Sequence, residues 1–367
     1  MTGVRRQLAV IGAFGGVNSG DEMILRALVE QARLNGYEGT INVICGSEPA
    51  AEAARQDYAD RGLSLVTWRN IAGAMRAVAG RDLFIGGGQI IDGTAGIRNA
   101  AVQAGLGVVA RSTGGSVTVG GVSTRNLEAK LVRRIYRRLF ALAGRIVTRD
   151  EDSLAEVRRI CPAAANKSGS RSDFVFALAG LLRGASPARD RRRIGFAIHH
   201  APHLALTAVE QSVAMLKRVA HVVPPDWELC IVAHDNRADY DLGLAHHLAE
   251  RVGGGTSVSS FATTDECAAF YRGLRSIISI RMHPIILGAC AEAFCVPLLG
   301  SPKLADLSRR LLLRQWDMSE LERLADDAFA GALGLSADGP LADPAQRALM
   351  SQEAGRIMSP AHGAGAG

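Results

Sequence analysis

Leu8-Ala-Val-Ile-Gly-Ala-Phe14, then Gly15-Gly-Val-Asn-Ser-Gly20, then Asp21-Glu-Met-Ile-Leu-Arg-Ala-Leu-Val-Glu-Gln-Ala-Arg-Leu34, sets the architecture. The first piece is a continuous apolar run, which reads as a strand buried on both faces. The second is a glycine-rich turn. The third repeats its apolar residues at helical spacing. Strand, turn and helix recur along most of the chain, which predicts parallel α/β units. Further predicted strands are Ile41–Cys45, Leu63–Trp68, Leu83–Ile85, Ser116–Val119 and Ile146–Thr148. Helices fill the gaps, among them Arg98–Arg111, Leu127–Leu142 and Asp152–Ile160.

Arg183 to Arg193 reads RGASPARDRRR, polar and without an apolar period, and so reads as a linker. The alternation then restarts with Ile194–Ile198, Leu229–Ala233, Val258–Phe261, Ile277–Ile280 and Val296–Leu299. The expected organisation is a Rossmann-like domain over 1–182, the linker at 183–193 and a second Rossmann-like domain over 194–335. A C-terminal helix and a disordered tail follow over 336–367, within a helical reading of Ser319–Met358 broken between Pro340 and Pro344. Two doubly wound domains facing each other leave a cleft at the carboxyl ends of their strands, where ligands are expected.

Composition narrows the function. The 367 residues are 48% hydrophobic and 21% charged, which excludes disorder for the body of the chain. The longest apolar run, Ile285–Gly300, is interrupted by Glu292 and Pro297 and falls short of the roughly 20 residues of a membrane span. Arg5 and Arg6 precede an apolar stretch, but no small-x-small cleavage site follows, so a buried strand is the better reading than a signal peptide. The six cysteines form no CxxC pair and read as reduced core residues of a cytoplasmic protein. The net charge of +6 rests on 42 basic residues, of which four are Lys and 38 Arg. Aromatic residues make up 5%, and no basic patch is interleaved with stacking rings, so nucleic acid is not an expected partner. A modest positive field suits an anionic substrate.

Four segments carry candidate chemistry. The opening turn lacks the GxGxxG spacing of a dinucleotide site, and Asp21 and Glu22 at the helix start would repel a phosphate. Those carboxylates and Asn18 suit sugar hydroxyls; the competing reading is an acid-capped turn. Gly86-Gly87-Gly88 allows close backbone approach at a strand end, and Asp92 is a candidate base or hydroxyl ligand, against a tight crossover turn with a surface carboxylate. Ser279-Ile-Arg281-Met-His283-Pro284 is the most informative. There a buried strand delivers Arg281 and His283, two apart and facing one way, with Pro284 at the first helical position. Arg281 suits an anion and His283 a general acid; the alternative is an ion-paired Arg and a capping His. His199-His200, His203 and His234-Asp235 match no metal-ligand spacing, so no metal is expected, although they can face the cleft. Arg149-Asp150 ends the last clear strand of the first domain.

In order along the chain stand Asn18-Ser-Gly20-Asp21-Glu22, Gly86-Gly87-Gly88 with Asp92, Thr148-Arg149-Asp150-Glu151-Asp152-Ser153 and Asp173. Asp241 with Ala245, Ser279-Ile-Arg281-Met-His283, and Pro297 with Lys303 complete the set. This ordered set resembles the polysaccharide pyruvyl transferase family, from about Ala9 to Leu313. The resemblance implies a fold like the two-domain GT-B glycosyltransferases. It also implies phosphoenolpyruvate as donor, a sugar diol of a glycan or glycolipid as acceptor, a cyclic pyruvate ketal as product and released phosphate. No cofactor is implied, since phosphoenolpyruvate is a co-substrate. In that frame His283, Asp21 and Asp92 are the catalytic candidates. Arg281, His200, Arg149 and Lys303 are the donor ligands, and Asn18, Gly87 and Gly88 the acceptor ligands. The donor is expected on the second domain and the acceptor on the first. Two positions depart from the family pattern: His199-His200 stand where a Ser- or Arg-containing turn is usual, and Pro284 replaces a small residue. A lipid-linked acceptor would bring the protein to the inner membrane face, where the Arg133–Arg138 helix could assist.

The alternative on the same architecture is a nucleotide-sugar glycosyltransferase, for which Glu292 and Lys303 are unconvincing ribose and diphosphate ligands. A non-catalytic glycan-binding relative is disfavoured by Arg281, His283 and Asp92, and an NAD-dependent dehydrogenase by the opening loop.

Overall fold

The computed structural model describes residues 7–46, 52–183, 191–199 and 206–335, with the single positions 349 and 352. Over these residues the chain divides into two compact units, one built from 7–16 and 21–177, the other from 17–20 and 178–335. His200, His203, residues 184–190 of the linker and nearly all of 336–367 lie outside the described residues.

The first unit runs β1 (Leu8–Ile11), α1 (Ser19–Leu34), β2 (Ile41–Cys45), α2 (Glu52–Asp60), β3 (Leu63–Thr67), α3 (Ile71–Val78) and β4 (Asp82–Asp92). It continues with α4 (Gly96–Ser112), β5 (Val117–Arg125), α5 (Lys130–Leu142), β6 (Arg145–Thr148), α6 (Glu151–Ile160) and β7 (Ser168–Ser170). Its seven strands are parallel, in the order β3-β2-β1-β4-β5-β6-β7. The order reverses between β1 and β4, the switch point where open α/β sheets bind ligands. α3, α4, α5 and α6 pack side by side, each against the next, as right-handed crossovers over such a strand order require. Buried Val119, Val122, Leu139 and Phe140 lie in the core beneath them, each large apolar side chain there contributing about 1.5–3 kcal/mol.

The second unit comprises α7 (Ala179–Leu182), β8 (Arg193–Ala197), α8 (Leu206–Val222), β9 (Glu228–Val232), α9 (Asp241–Val252), β10 (Ser257–Ser259) and α10 (Thr264–Arg272). Then come β11 (Leu274–Ser279), α11 (Met282–Cys290), β12 (Phe294–Pro297), α12 (Pro302–Arg310), α13 (Met318–Glu322) and α14 (Asp326–Ala332). Its parallel sheet has the order β10-β9-β8-β11-β12, reversing between β8 and β11.

The expected elements recur with three corrections. β4 does not stop at Ile85: it continues through the three glycines to Asp92, paired along β5, with a register shift after Gly88. β7, sequence SGS, has no apolar run to announce it. Pro284 is the third residue of α11, because Arg281 is the N-cap and the helix begins at Met282. Pro is tolerated there, since first-turn N–H groups have no helical partner.

Candidate active site

Each unit gathers polar residues at its switch point. In the second unit β11 ends at Ser279, whose hydroxyl accepts the Arg281 N–H at 2.8 Å and lies 3.3 Å from the Ala197 carbonyl oxygen of β8. This pins the chain as it leaves the sheet. Arg281 is extended (φ −104, ψ 148) and His283 sits in the first turn of α11. The two are therefore presented by a strand-to-helix corner, not by strand alternation.

Asp241, the first residue of α9 and 1% exposed, holds Arg281. Its Oδ2 takes the Arg281 guanidinium and accepts the Asp235 N–H at 3.0 Å, while His199 Nδ1 lies 3.7 Å from Oδ1. A buried carboxylate engaged by a guanidinium and a backbone N–H is a strong anchor, because both bonds are charge-assisted.

Residues 17–20 complete this cluster. Asn18 and Asp235 form an antiparallel bridge, and Ser19 N donates to the His234 carbonyl at 2.9 Å, with Asn236 N donating to Val17 O at 3.1 Å. Ser19 Oγ is 3.0 Å from His234 Nδ1, and His234 Nε2 is 2.6 Å from the Tyr271 hydroxyl. Burial, reinforced by Arg281, holds the His234 pKa well below its ordinary 6.5, so the ring is a neutral hydrogen-bonding strut at neutral pH. Gly20 is where His283 packs: a Cβ there would lie 2.6 Å from His283 Nδ1. Only glycine leaves room for that ring.

In the first unit Asp21 and Glu22 take different roles. Glu22 Oε1 accepts the N–H groups of Gly15 at 3.0 Å and Gly16 at 2.8 Å, and Oε2 accepts the Tyr58 hydroxyl. Burial pushes the Glu22 pKa up to about 7 against the lowering effect of these bonds, and the same burial with Glu22 alongside raises Tyr58. Glu22 is the clamp of the glycine turn. Asp21 instead points toward the β4 glycines, a Cβ on Gly88 lying 3.1 Å from Asp21 Oδ1. Gly87 and Gly88 have φ of 81 and 92, a conformation that favours glycine. Asp21, Gly87 and Gly88 thus come together.

The remaining sequence-predicted residues are placed as follows. Asp92 caps the turn at Gly93–Ala95, accepting from Thr94 N at 2.9 Å, Thr94 Oγ1 at 2.8 Å and Gln89 Nε2 at 2.9 Å. Burial raises its pKa, but these bonds outweigh it and the net shift is downward, which suits holding a turn or a hydroxyl better than taking a proton. Arg149 belongs to the first unit and is buried, donating to Asp173 Oδ2 at 3.1 Å and Ser123 Oγ at 2.7 Å. It is an internal ion pair, not a neighbour of Arg281 within the second unit. Asn18, expected with the first domain, belongs to the second unit, and its Oδ1 accepts the Gly20 N–H at 3.0 Å. Lys303 lies in the first turn of α12, beyond the carboxyl end of β12, the strand beside β11. His200 is outside the described residues.

Asp241, Ser19 and His234 stand in segments that the sequence singles out, but no role was expected of them there, and Tyr271 was not expected at all. Asp241 has a local signal, an acid at a helix start, but its partner Arg281 is 40 residues away. Among the described residues no group of three or more His, Cys, Asp or Glu could hold a metal ion, and no helix is long and apolar enough to cross a membrane.

The sequence profile of the family described as polysaccharide pyruvyl transferase matches residues 18–298. No curated protein matches the chain in sequence. Among solved structures, Anabaena HepE in complex with UDP and glucose superposes with a TM-score of 0.59 at 10% identity, covering 95% of each chain. UDP-GlcNAc 2-epimerase from Neisseria meningitidis, bound to UDP-GlcNAc, gives 0.59 at 9% identity, covering 96% of this chain and 99% of that one. A glycosyltransferase from Rickettsia africae gives 0.57 at 10%, covering 96% and 94%. These likenesses establish a two-domain GT-B-type fold.

Proposed function

Since the chain belongs to the polysaccharide pyruvyl transferase family, we propose that it transfers the pyruvyl group of phosphoenolpyruvate to two hydroxyls of one sugar in a glycan or glycolipid. The product is a cyclic pyruvate ketal, phosphate is released, and no cofactor takes part. The observation that carries this reading is the Arg281–His283 corner, a guanidinium anchored by Asp241 and, two residues on, an imidazole in the first turn of a helix.

The donor carries a carboxylate and a phosphate, which Arg281 and the N–H groups opening α11 are suited to bind. His283 as imidazolium protonates the donor's methylene carbon, and positive charge develops at the carbon bearing the phosphate. A sugar hydroxyl adds there and loses its proton. The bond from that carbon to the phosphate oxygen breaks, and the second hydroxyl closes the ketal. Of the two hydroxyl protons released, one restores His283 and the other leaves with phosphate. Asp21, with the backbone at Gly87 and Gly88, is the group we assign to the diol, and Asp92 is left as a turn cap. Asn18, His200, Arg149 and Lys303 carry no step. The reading places the protein in the cytoplasm, or at the inner membrane face where the acceptor is lipid-linked.

The fold neighbours that hold UDP or a UDP-sugar favour a second reading, a nucleotide-sugar glycosyltransferase, but at about a tenth identity they speak for the fold alone. Thermal unfolding separates the two. Phosphoenolpyruvate should raise the melting temperature of wild type and not of Arg281→Ala, a ligand at 100 times its Kd adding about 2.7 kcal/mol. His283→Ala should keep the shift and lose phosphate release by at least about a hundredfold. A shift with UDP-sugars and none with phosphoenolpyruvate overturns the pyruvyl reading.

A further inference from the structure

The outer surface of α4 and α5 is unlike that of an ordinary solvent-facing helix layer. α4 presents Ile97, 50% exposed, and Val108, 56% exposed, with exposed Ala101 and Gly105 between them on the same stripe. A surface helix normally carries charge there. Next to α4, α3 adds the exposed Ile71 and Met75, and α5 adds Leu131, also 50% exposed. α5 buries Val132, Tyr136, Leu139 and Phe140 and turns Lys130, Arg134, Arg137 and Arg138 outward, with Arg133 half-buried. The 17 residues of α4 and the 13 of α5 contain no Asp or Glu. An uninterrupted basic row therefore borders an exposed apolar stripe.

We propose that this α3–α5 face of the first unit docks on an anionic lipid bilayer. The guanidinium groups of α5 pair with lipid phosphates, and Ile97 and Val108 enter the boundary between headgroups and acyl chains. The chemistry matches on both counts: basic residues near an anionic leaflet are attracted to it, and apolar side chains beside them gain burial at the interface. Duplex nucleic acid would satisfy the arginines but leave the apolar stripe in water. The inference deepens the reading above by giving a glycolipid-modifying enzyme a place to stand. Its test does not use catalysis, so either proposal can fail alone.

The experiment is vesicle co-sedimentation of the full chain, with phosphatidylcholine alone and with about one-third phosphatidylglycerol, at low and high salt. Binding is expected only to the anionic vesicles and should weaken with salt. Replacing Arg133, Arg134, Arg137 and Arg138 by Gln should weaken it by at least about tenfold. Val108→Glu should weaken it at either salt concentration, with the melting temperature of both variants unchanged. Equal binding to neutral vesicles, or none to either kind, overturns the proposal. So does retention of duplex DNA by the same arginines without vesicle binding, or a dimer that Val108→Glu dissolves while vesicles are ignored.

Discussion

Replacing Glu22 by Gln should make the first unit more stable in alkali relative to wild type, although it removes a residue at the centre of a hydrogen-bond cluster. The amide oxygen can still accept the Gly15 and Gly16 N–H groups, and the amide nitrogen can donate to the Tyr58 oxygen. What the substitution removes is a carboxylate that must ionise inside the protein. Its pKa rises from 4.5 to about 7 on folding. Because the folded value is the higher one, Glu22 contributes its stability fully below pH 4.5 and loses it as pH rises through 7. At about 1.4 kcal/mol per pKa unit the loss amounts to about 3 kcal/mol, of which about 2 kcal/mol falls between roughly pH 5.5 and 8.5. Trp68 is the one tryptophan of the first unit. In a Trp227→Phe, Trp316→Phe background its fluorescence therefore follows that unit through urea unfolding. The stability difference between Glu22→Gln and its parent should move by about 2 kcal/mol in favour of the variant from pH 5.5 to 8.5. A difference that stays constant within about 0.5 kcal/mol would show that Glu22 ionises as it does in water, and the argument from burial would be wrong.

Three further outcomes follow from the second unit. Gly20→Ala places a methyl group against His283 Nδ1, so phosphate release should fall by about a hundredfold or more, while the phosphoenolpyruvate-induced melting shift persists; loss of both together would mean a folding defect. Asp241→Asn frees the guanidinium of Arg281 from its anchor and should raise KM for phosphoenolpyruvate about tenfold and cost about 2 kcal/mol of stability, and unchanged steady-state kinetics would refute the positioning role. His234 has a folded pKa well below 6.5, so its contribution is present above pH 6.5 and lost as pH falls below that value; His234→Gln should flatten the acid limb of the stability profile, as urea titrations between about pH 4.5 and 7 would reveal.

Much of the fold was legible because parallel strands buried on both faces are runs of Ile, Val and Leu, and few other structures need them. β1, β2 and β9 are of this kind, and β8 is apolar through Ile194, Phe196 and Ala197. What escaped was what carries no apolar signal: β7 is Ser-Gly-Ser, and the extension of β4 passes through glycines that read as a strand end. The site divides in the same way. Arg281 and His283 could be read locally, because a buried strand running into a helix start places its corner residues at a ligand edge. Asp241 stands with them in the ordered set, but its contact with Arg281 needed the fold, since nothing within α9 indicates a guanidinium from 40 residues further on. Arg149 illustrates the converse. Its position at a strand end is that of a ligand residue, yet a buried aspartate 24 residues later engages it. A basic residue at a strand end is evidence of a site only once its carboxylate partners are known.

The opening motif shows how five consecutive residues can answer to two different units. Asn18, Ser19 and Gly20 make their bonds and packing in the second unit, to Asp235, His234 and His283. Asp21 and Glu22 make theirs in the first, at Gly88 and at the Gly15–Gly16 turn. The partition falls within the first turn of α1, which begins at Ser19. Each residue answers to a different constraint. Ser19 must reach a ring nitrogen, Gly20 must have no side chain, Asp21 must face a glycine, and Glu22 must accept two N–H groups from inside the protein. An α-helical turn sets successive positions about 100° apart around the axis, so each of the four faces its own surroundings. A one-residue insertion after Gly20 would rotate Asp21 and Glu22 by about 100° about the helix axis and separate both carboxylates from their partners, while leaving the composition of the motif unchanged. Both the order and the identity of these residues are set by what each one packs against or bonds to.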